Sequence, residues 1–172
     1  MDLRIATAGL RLAPVLLFLL AGCSTLAPDS LPCPAVAILP DAAKLVRYTD
    51  GTDLIDVEYE ATIESVTPVC THSGDDFETE LTVAIVARRG PAMQGDRADF
   101  AYFVAVTSAD RQVLAREEFP VSIPLSAGGR RIRLVERVVP KLPIRKSRSR
   151  SSYRIYIGMV LTRQQIRQNR GG

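Results

Sequence analysis

Residues 57–64 run Val57-Glu58-Tyr59-Glu60-Ala61-Thr62-Ile63-Glu64, apolar on one parity and acidic or hydroxylated on the other. Successive side chains of a strand point to opposite faces, so this period of two predicts a half-buried strand, here from Leu54 to Val66. The alternation returns at Leu81, Val83, Ile85 and Ala87, with Glu80 and Thr82 opposite. Phe100 to Thr107 is apolar on both parities, as a central strand requires. Ser108-Ala109-Asp110-Arg111 reads as a turn, and Val113 to Phe119 as the returning hairpin arm. Ile132, Leu134 and Val138 interleave with Arg131, Arg133 and Arg137. Tyr153, Ile155, Ile157, Met159 and Leu161 give a last strand with Arg154 on its other face.

A short first strand at residues 35–39 brings the count to about seven. Residues 41–48, after Pro40, read as a single helical turn, and residues 162–170 as a frayed terminal helix with one apolar residue, Ile166. Short strands separated by Gly, Pro and Asp turns predict an all-β, antiparallel β-sandwich of about seven strands. Its strand rhythm, and nothing finer, resembles immunoglobulin-like and fibronectin III-like domains. A closed barrel is the alternative, with the polar parity outside and therefore not a membrane-spanning one.

The 172 residues suit one ordinary domain, and 47% hydrophobic with 24% charged residues is a globular balance. A formal net charge of +3 does not by itself indicate nucleic acid. The only histidine, His72, leaves little room for His-based metal sites or triads.

The first residues read as an address rather than as fold. Arg4 and Arg11 form a basic start, and Pro14-Val15-Leu16-Leu17-Phe18-Leu19-Leu20 is an apolar run. That run is shorter than the roughly 20 residues a membrane-spanning helix needs. It ends in Leu20-Ala21-Gly22-Cys23, which resembles the lipobox of bacterial lipoprotein precursors. The resemblance implies an N-terminal signal helix over residues 1–22, cleavage before Cys23, and acylation of Cys23 on its sulfur and new amino terminus. Several acyl chains together anchor a protein stably. Ser24, where Asp would stand in inner-membrane retention, favours the periplasmic face of the outer membrane. An ordinary secretory signal is the alternative. Residues 23–32 then form the lipidated Cys and tether, and residues 33–172 the sandwich with a short tail. Residues 24–32, even fully extended, reach only about 30 Å.

Outside the cytoplasm an even pair of cysteines most simply forms a disulfide, and Cys33 and Cys70 are the two that remain. Free thiols, a redox pair without a Cys-x-x-Cys motif, and an incomplete metal site with His72 are the other readings.

Charge is unevenly divided along the chain. Residues 23–128 carry 7 basic and 17 acidic side chains, whereas residues 129–172 carry 13 basic and a single acidic one, Glu136. Opposite strands pairing across the sheet would account for this internally. An anionic partner would account for it externally, through Lys141, Arg145, Lys146, Arg148, Arg150 and Arg154, most of them in a Ser/Arg-rich stretch with no apolar face to bury. Each basic residue near a charged membrane contributes about 1 kcal/mol. Acidic lipid, glycolipid and an acidic protein surface all fit that chemistry. Nucleic acid does not, because export removes the chain from it and no aromatic-basic platform is present.

Catalytic motifs are missing: there is no Gly-x-Ser-x-Gly elbow, His-Glu-x-x-His or Gly-rich phosphate loop. His72 falls in a polar stretch that reads as a loop between two strands, where an exposed His is commonplace. Asp75, Asp76 and the Asp50-Gly51-Thr52-Asp53 turn with Asp56 are ordinary turn chemistry before they are a calcium site. The sequence therefore points to a lipid-anchored, non-catalytic accessory or scaffold protein of the cell envelope, without cofactor or metal, that binds a protein partner. A binding module for anionic lipid or glycan through residues 141–154 is the alternative.

Overall fold

The computed structural model describes residues 33–73, 76–127, 131–141 and 153–171. Residues 1–22, read above as a signal, and Cys23 lie outside them, as do Arg145, Lys146, Arg148 and Arg150. Eight strands run in chain order: β1 (Ala35–Ile38), β2 (Lys44–Tyr48), β3 (Val57–Ser73), β4 (Asp76–Arg89), β5 (Arg97–Ser108), β6 (Val113–Pro124), β7 (Arg131–Val138) and β8 (Tyr153–Met159). One helix, α1 (Arg163–Gly171), follows. The strands form two four-stranded sheets, ordered β1-β8-β5-β6 and β2-β3-β4-β7. The predicted all-β sandwich is the observed fold.

The inner faces meet as their parities dictate. Tyr59, Ala61, Ile63, Leu81, Val83 and Ile85 come from one sheet, and Tyr102, Val104, Val106, Ile123, Ile155 and Ile157 from the other. All of these are buried, and each large aliphatic side chain removed from water contributes roughly 1.5–3 kcal/mol. β5 lies between β6 and β8, and its outward parity is itself covered, with Ala105 buried and Phe103 beneath the Arg116 guanidinium, which fits its being apolar on both parities.

Three details depart from the sequence reading. Residues 41–48 are not a helical turn. Only Pro40–Ala42 form a 3-10 turn, and Lys44–Tyr48 pair antiparallel with β3, Leu45 opposite Ala61. Pairing with a long neighbour overrides the weak local preference of five residues. The sheets are also not wholly antiparallel, since β1 runs parallel to β8, Ala35 opposite Arg154. The first long strand starts at Val57 and continues past Val66 to Ser73, with Leu54–Asp56 in a 3-10 turn before it.

A register shift between Ile63 and Ser65 inserts one residue into β3. An extra residue reverses the parity that follows. Tyr59, Ala61 and Ile63 face inward before the shift; Val66, Pro68 and Cys70 are the more covered parity after it. The bulge thus turns Cys70 toward Cys33, and the two form a disulfide with Cα atoms 5.7 Å apart.

The end of the sandwich away from the disulfide is tied by backbone contacts. Gly90 N–H donates to Glu58 O at 2.8 Å, and a Cβ on Gly90 would stand 2.1 Å from Val57 O, so only glycine permits this approach. The Arg89 guanidinium donates to the carbonyls of Met93, Gly95 and Leu125, joining two loops at that end.

Each outer strand carries a feature that discourages strand addition. β1 is four residues long, between Pro34 and Pro40. On β6, Pro120 supplies no N–H and Glu117 is half-buried; on β7, Glu136 is half-buried. β2 is covered by α1, whose Gln165 Nε2 donates to Val46 O at 3.2 Å and whose Asn169 Nδ2 donates to Lys44 O at 2.8 Å. These amides, one helical turn apart, stand where a neighbouring strand would donate. Thr162 and Gln165 cap the helix reciprocally, and Arg170 pairs with Asp41 at 2.6 Å. The helix expected to fray is docked, because its polar face has backbone carbonyls to bind.

Candidate interaction surfaces

The solvent side of the β2-β3-β4-β7 sheet is a lattice of opposite charges. Glu64 on β3 pairs with Arg133 at 2.6 Å and Arg131 at 3.4 Å, both on β7. β4 lies between them, and its Ala84 and Val86 are low enough for these long side chains to pass over and bury them. Arg137 reaches Glu80 at 3.8 Å, Lys44 reaches Glu60 at 3.2 Å, and Arg47 reaches Glu58 at 3.9 Å. The hydrogen bond from Arg133 first, with the charges of Arg133 and Arg131, holds the Glu64 carboxyl below the usual glutamate range against the opposing effect of desolvation. The basic strand β7 is therefore matched internally to the acidic strands beside it. Exposed pairs of this kind contribute about 0.2–1 kcal/mol each.

The residues expected to meet an anionic partner divide differently. Lys141 is exposed just beyond β7, and its backbone N–H donates to the Glu117 carboxylate at 3.1 Å. Arg154 is exposed on β8, level with the start of β1 and hence near the disulfide. The intervening Arg145, Lys146, Arg148 and Arg150 fall outside the described residues, and so does Cys23. Cys33 and Cys70 are brought together as expected; the Cys70 sulfur lies 3.6 Å from the hydroxyl of buried Thr79. The His72 side chain and Asp75 also lie outside what is described. Among the described residues no group of three or more His, Cys, Asp and Glu side chains is arranged to hold a metal.

The other sheet presents a less charged outer face. Phe103 and Tyr156 are half-buried there, and the Arg116 guanidinium stands 4.5 Å above the Phe103 ring while pairing with Glu118. Inside the sandwich, Tyr59 donates its hydroxyl to Asp99 O, whereas the buried Tyr102 hydroxyl has no hydrogen-bond partner. Burial first, then the charge and close approach of the Glu136 carboxylate, raise the Tyr102 pKa, although the geometry between them falls short of a hydrogen bond. Burial is also the main reason the Tyr59 pKa is raised.

One surface was hidden in the sequence. Leu54 and Ile55, placed within a strand by periodicity, sit in the 3-10 turn before β3 and are 83% and 74% exposed. The turn is held from both sides: Asp56 N–H donates to Asp53 O at 3.0 Å, and Asp56 Oδ2 accepts from Asp53 N–H at 3.3 Å. Thr49 N–H donates to Asp56 O at 3.0 Å, and Gly51 adopts a φ of 65° against the Asp56 carboxylate. The signal lay in the spacing of Asp53 and Asp56, which is that of a capping box and not of a strand.

The fold and these surfaces define an all-β sandwich with one outer face built as a lattice of paired charges and the other less charged. No protein-family model matches the chain, and neither a curated protein nor a solved structure matches it.

Proposed function

We propose that the chain is a lipid-anchored, non-catalytic accessory or scaffold protein of the bacterial envelope, held at the periplasmic face of the outer membrane through acylated Cys23 and binding a protein partner. The lipobox-like Leu20-Ala21-Gly22-Cys23 supports the anchor. The observation that carries the scaffold reading is the disulfide. It fastens Cys33, where the tether enters, to Cys70 near one tip of the longest hairpin. A chain anchored at Cys23 stands on that end and offers the opposite end to other envelope proteins. The edge features described above favour docking through loops and faces over strand addition.

The test is a tagged purification of the full-length chain from detergent-solubilised envelopes at moderate salt, with quantitative mass spectrometry. A single protein recovered in near-stoichiometric amount is expected. A preparation that carries lipid but no stoichiometric protein would overturn the scaffold reading. Cys23→Ser should abolish incorporation of labelled palmitate; undiminished labelling would remove the anchor.

The second reading is a binding module for anionic lipid or glycan through Lys141, Arg145, Lys146, Arg148, Arg150 and Arg154. It is favoured by the position of exposed Arg154 at the tether end, where headgroups would lie. Such binding should weaken steeply between low and physiological salt, as electrostatic contacts screened over about 8–10 Å do. Changing Arg145, Lys146, Arg148 and Arg150 to Ser should abolish it, and unchanged binding would dismiss the site.

A further inference from the structure

We infer that Leu54 and Ile55 are the anchor by which the chain docks its protein partner, and that the partner offers an apolar pocket rimmed by Lys or Arg. The inference rests on the scaffold reading and specifies its contact. These are the two most exposed large hydrophobic residues among those described, and they are adjacent. Their exposure is built in: the Asp56 carboxylate cap, two backbone hydrogen bonds and the positive φ of Gly51 fix the turn that holds them outward. An aliphatic pair on an ordered turn loses little conformational freedom on binding.

The surroundings select the partner's charge. Asp50 and Asp53 are exposed beside the pair and Asp56 is half-buried behind it, while the nearby bases are engaged elsewhere, Arg47 with Glu58 and Arg89 with the carbonyls of Met93, Gly95 and Leu125. An acidic rim around an apolar tip is complementary to a basic rim around an apolar pocket. An anionic membrane is disfavoured for the same reason, since the carboxylates would approach headgroups of like charge. Position agrees. The pair precedes Val57, and Cys70 lies thirteen residues further along β3, so the tip is roughly 40 Å of strand from the disulfide.

The test places a photo-cross-linking benzoylphenylalanine at position 55 of the full-length chain in intact envelopes, with the same substitution at exposed Val113 near the other end as control. One discrete protein adduct is expected from position 55 and not from 113, on a partner segment lined by apolar residues and flanked by Lys or Arg. In the tagged purification, Leu54→Ser should reduce recovery of that protein about tenfold, as loss of one anchor side chain does. The melting temperature should stay unchanged, because the residue is exposed. Recovery of a stoichiometric partner without an adduct at 55, or with Leu54→Ser binding as well as the parent, would overturn the docking site and leave the scaffold reading standing. Adducts to lipid, or to an acidic segment, would also overturn it. Absence of any stoichiometric partner would remove both.

Discussion

Tyr102 and Tyr59 show how one chemical group has opposite consequences in two places. Both rings fill the core, but the Tyr59 hydroxyl is bonded to Asp99 O and the Tyr102 hydroxyl is buried without a partner. A buried, unsatisfied polar group costs about 1–3 kcal/mol, whereas a satisfied one contributes about 1 kcal/mol net. Tyr102→Phe should therefore raise stability by about 1 kcal/mol and Tyr59→Phe lower it by a similar amount. Urea unfolding measures both, and a loss in the Tyr102 variant would mean that its hydroxyl is bonded. Glu64 makes a prediction in pH. Its carboxyl is held low by the Arg133 hydrogen bond and by the charges of Arg133 and Arg131. The folded state thus binds that proton less readily than the unfolded state, so the contribution is complete above the ordinary glutamate range. It is lost as pH falls through the lowered folded value. The stability difference between the parent and Glu64→Gln should shrink over that window, and Arg133→Gln should return the carboxyl resonance of Glu64 to the ordinary range.

At the scale of the element, the bulge in β3 and the disulfide form one device. Without the register shift between Ile63 and Ser65, Cys70 would keep the outward parity of Glu58, Glu60 and Thr62. The bond closes a loop across a sequence separation of 37, which restricts the unfolded chain by about 3–4 kcal/mol in the entropy model. Cys33→Ser with Cys70→Ser should lower the urea-unfolding free energy by that order, and an unchanged midpoint would show that the staple adds nothing to this end. The same elements indicate what periodicity can and cannot express. β3, β4, β5, β7 and β8 were legible because half-buried and central strands print their burial on alternate residues. β2 was not, because five residues at an edge, with Lys44 and Arg47 among them, become a strand only by pairing with β3. The bulge was illegible for a related reason: it is a property of register between two strands. Leu54 and Ile55 were absorbed into β3 because their apolar character continues its pattern, although the Asp56 cap assigns them to a turn.

At the scale of the molecule, much of the division of charge along the chain is closed by pairing in space. β7 brings its arginines to the acidic β3 and β4, which was one of the two explanations the sequence allowed. What remains directional is the placing of two groups: Leu54 and Ile55 stand exposed at one end of β3, and Arg154 lies near Cys33 at the other. Residues 24–32, even fully extended, span at most about 30 Å, while the two tips of β3 are separated by roughly 40 Å or more. If the anchor is at Cys23, the domain cannot present both ends to the bilayer equally. This gives a measurement that depends on orientation alone. A fluorescent amino acid at exposed Thr71, beside the disulfide, and another at exposed Thr52, beside Leu54, are each compared in vesicles carrying a headgroup-linked acceptor. Energy transfer falls steeply with distance, so Thr71 should transfer efficiently and Thr52 weakly, and Cys23→Ser should remove transfer from both. Equal transfer from the two positions would mean that the domain lies flat or tumbles on its tether. Stronger transfer from Thr52 would mean that the acidic, apolar tip faces the membrane, and the docking surface would then have to be sought at the disulfide end.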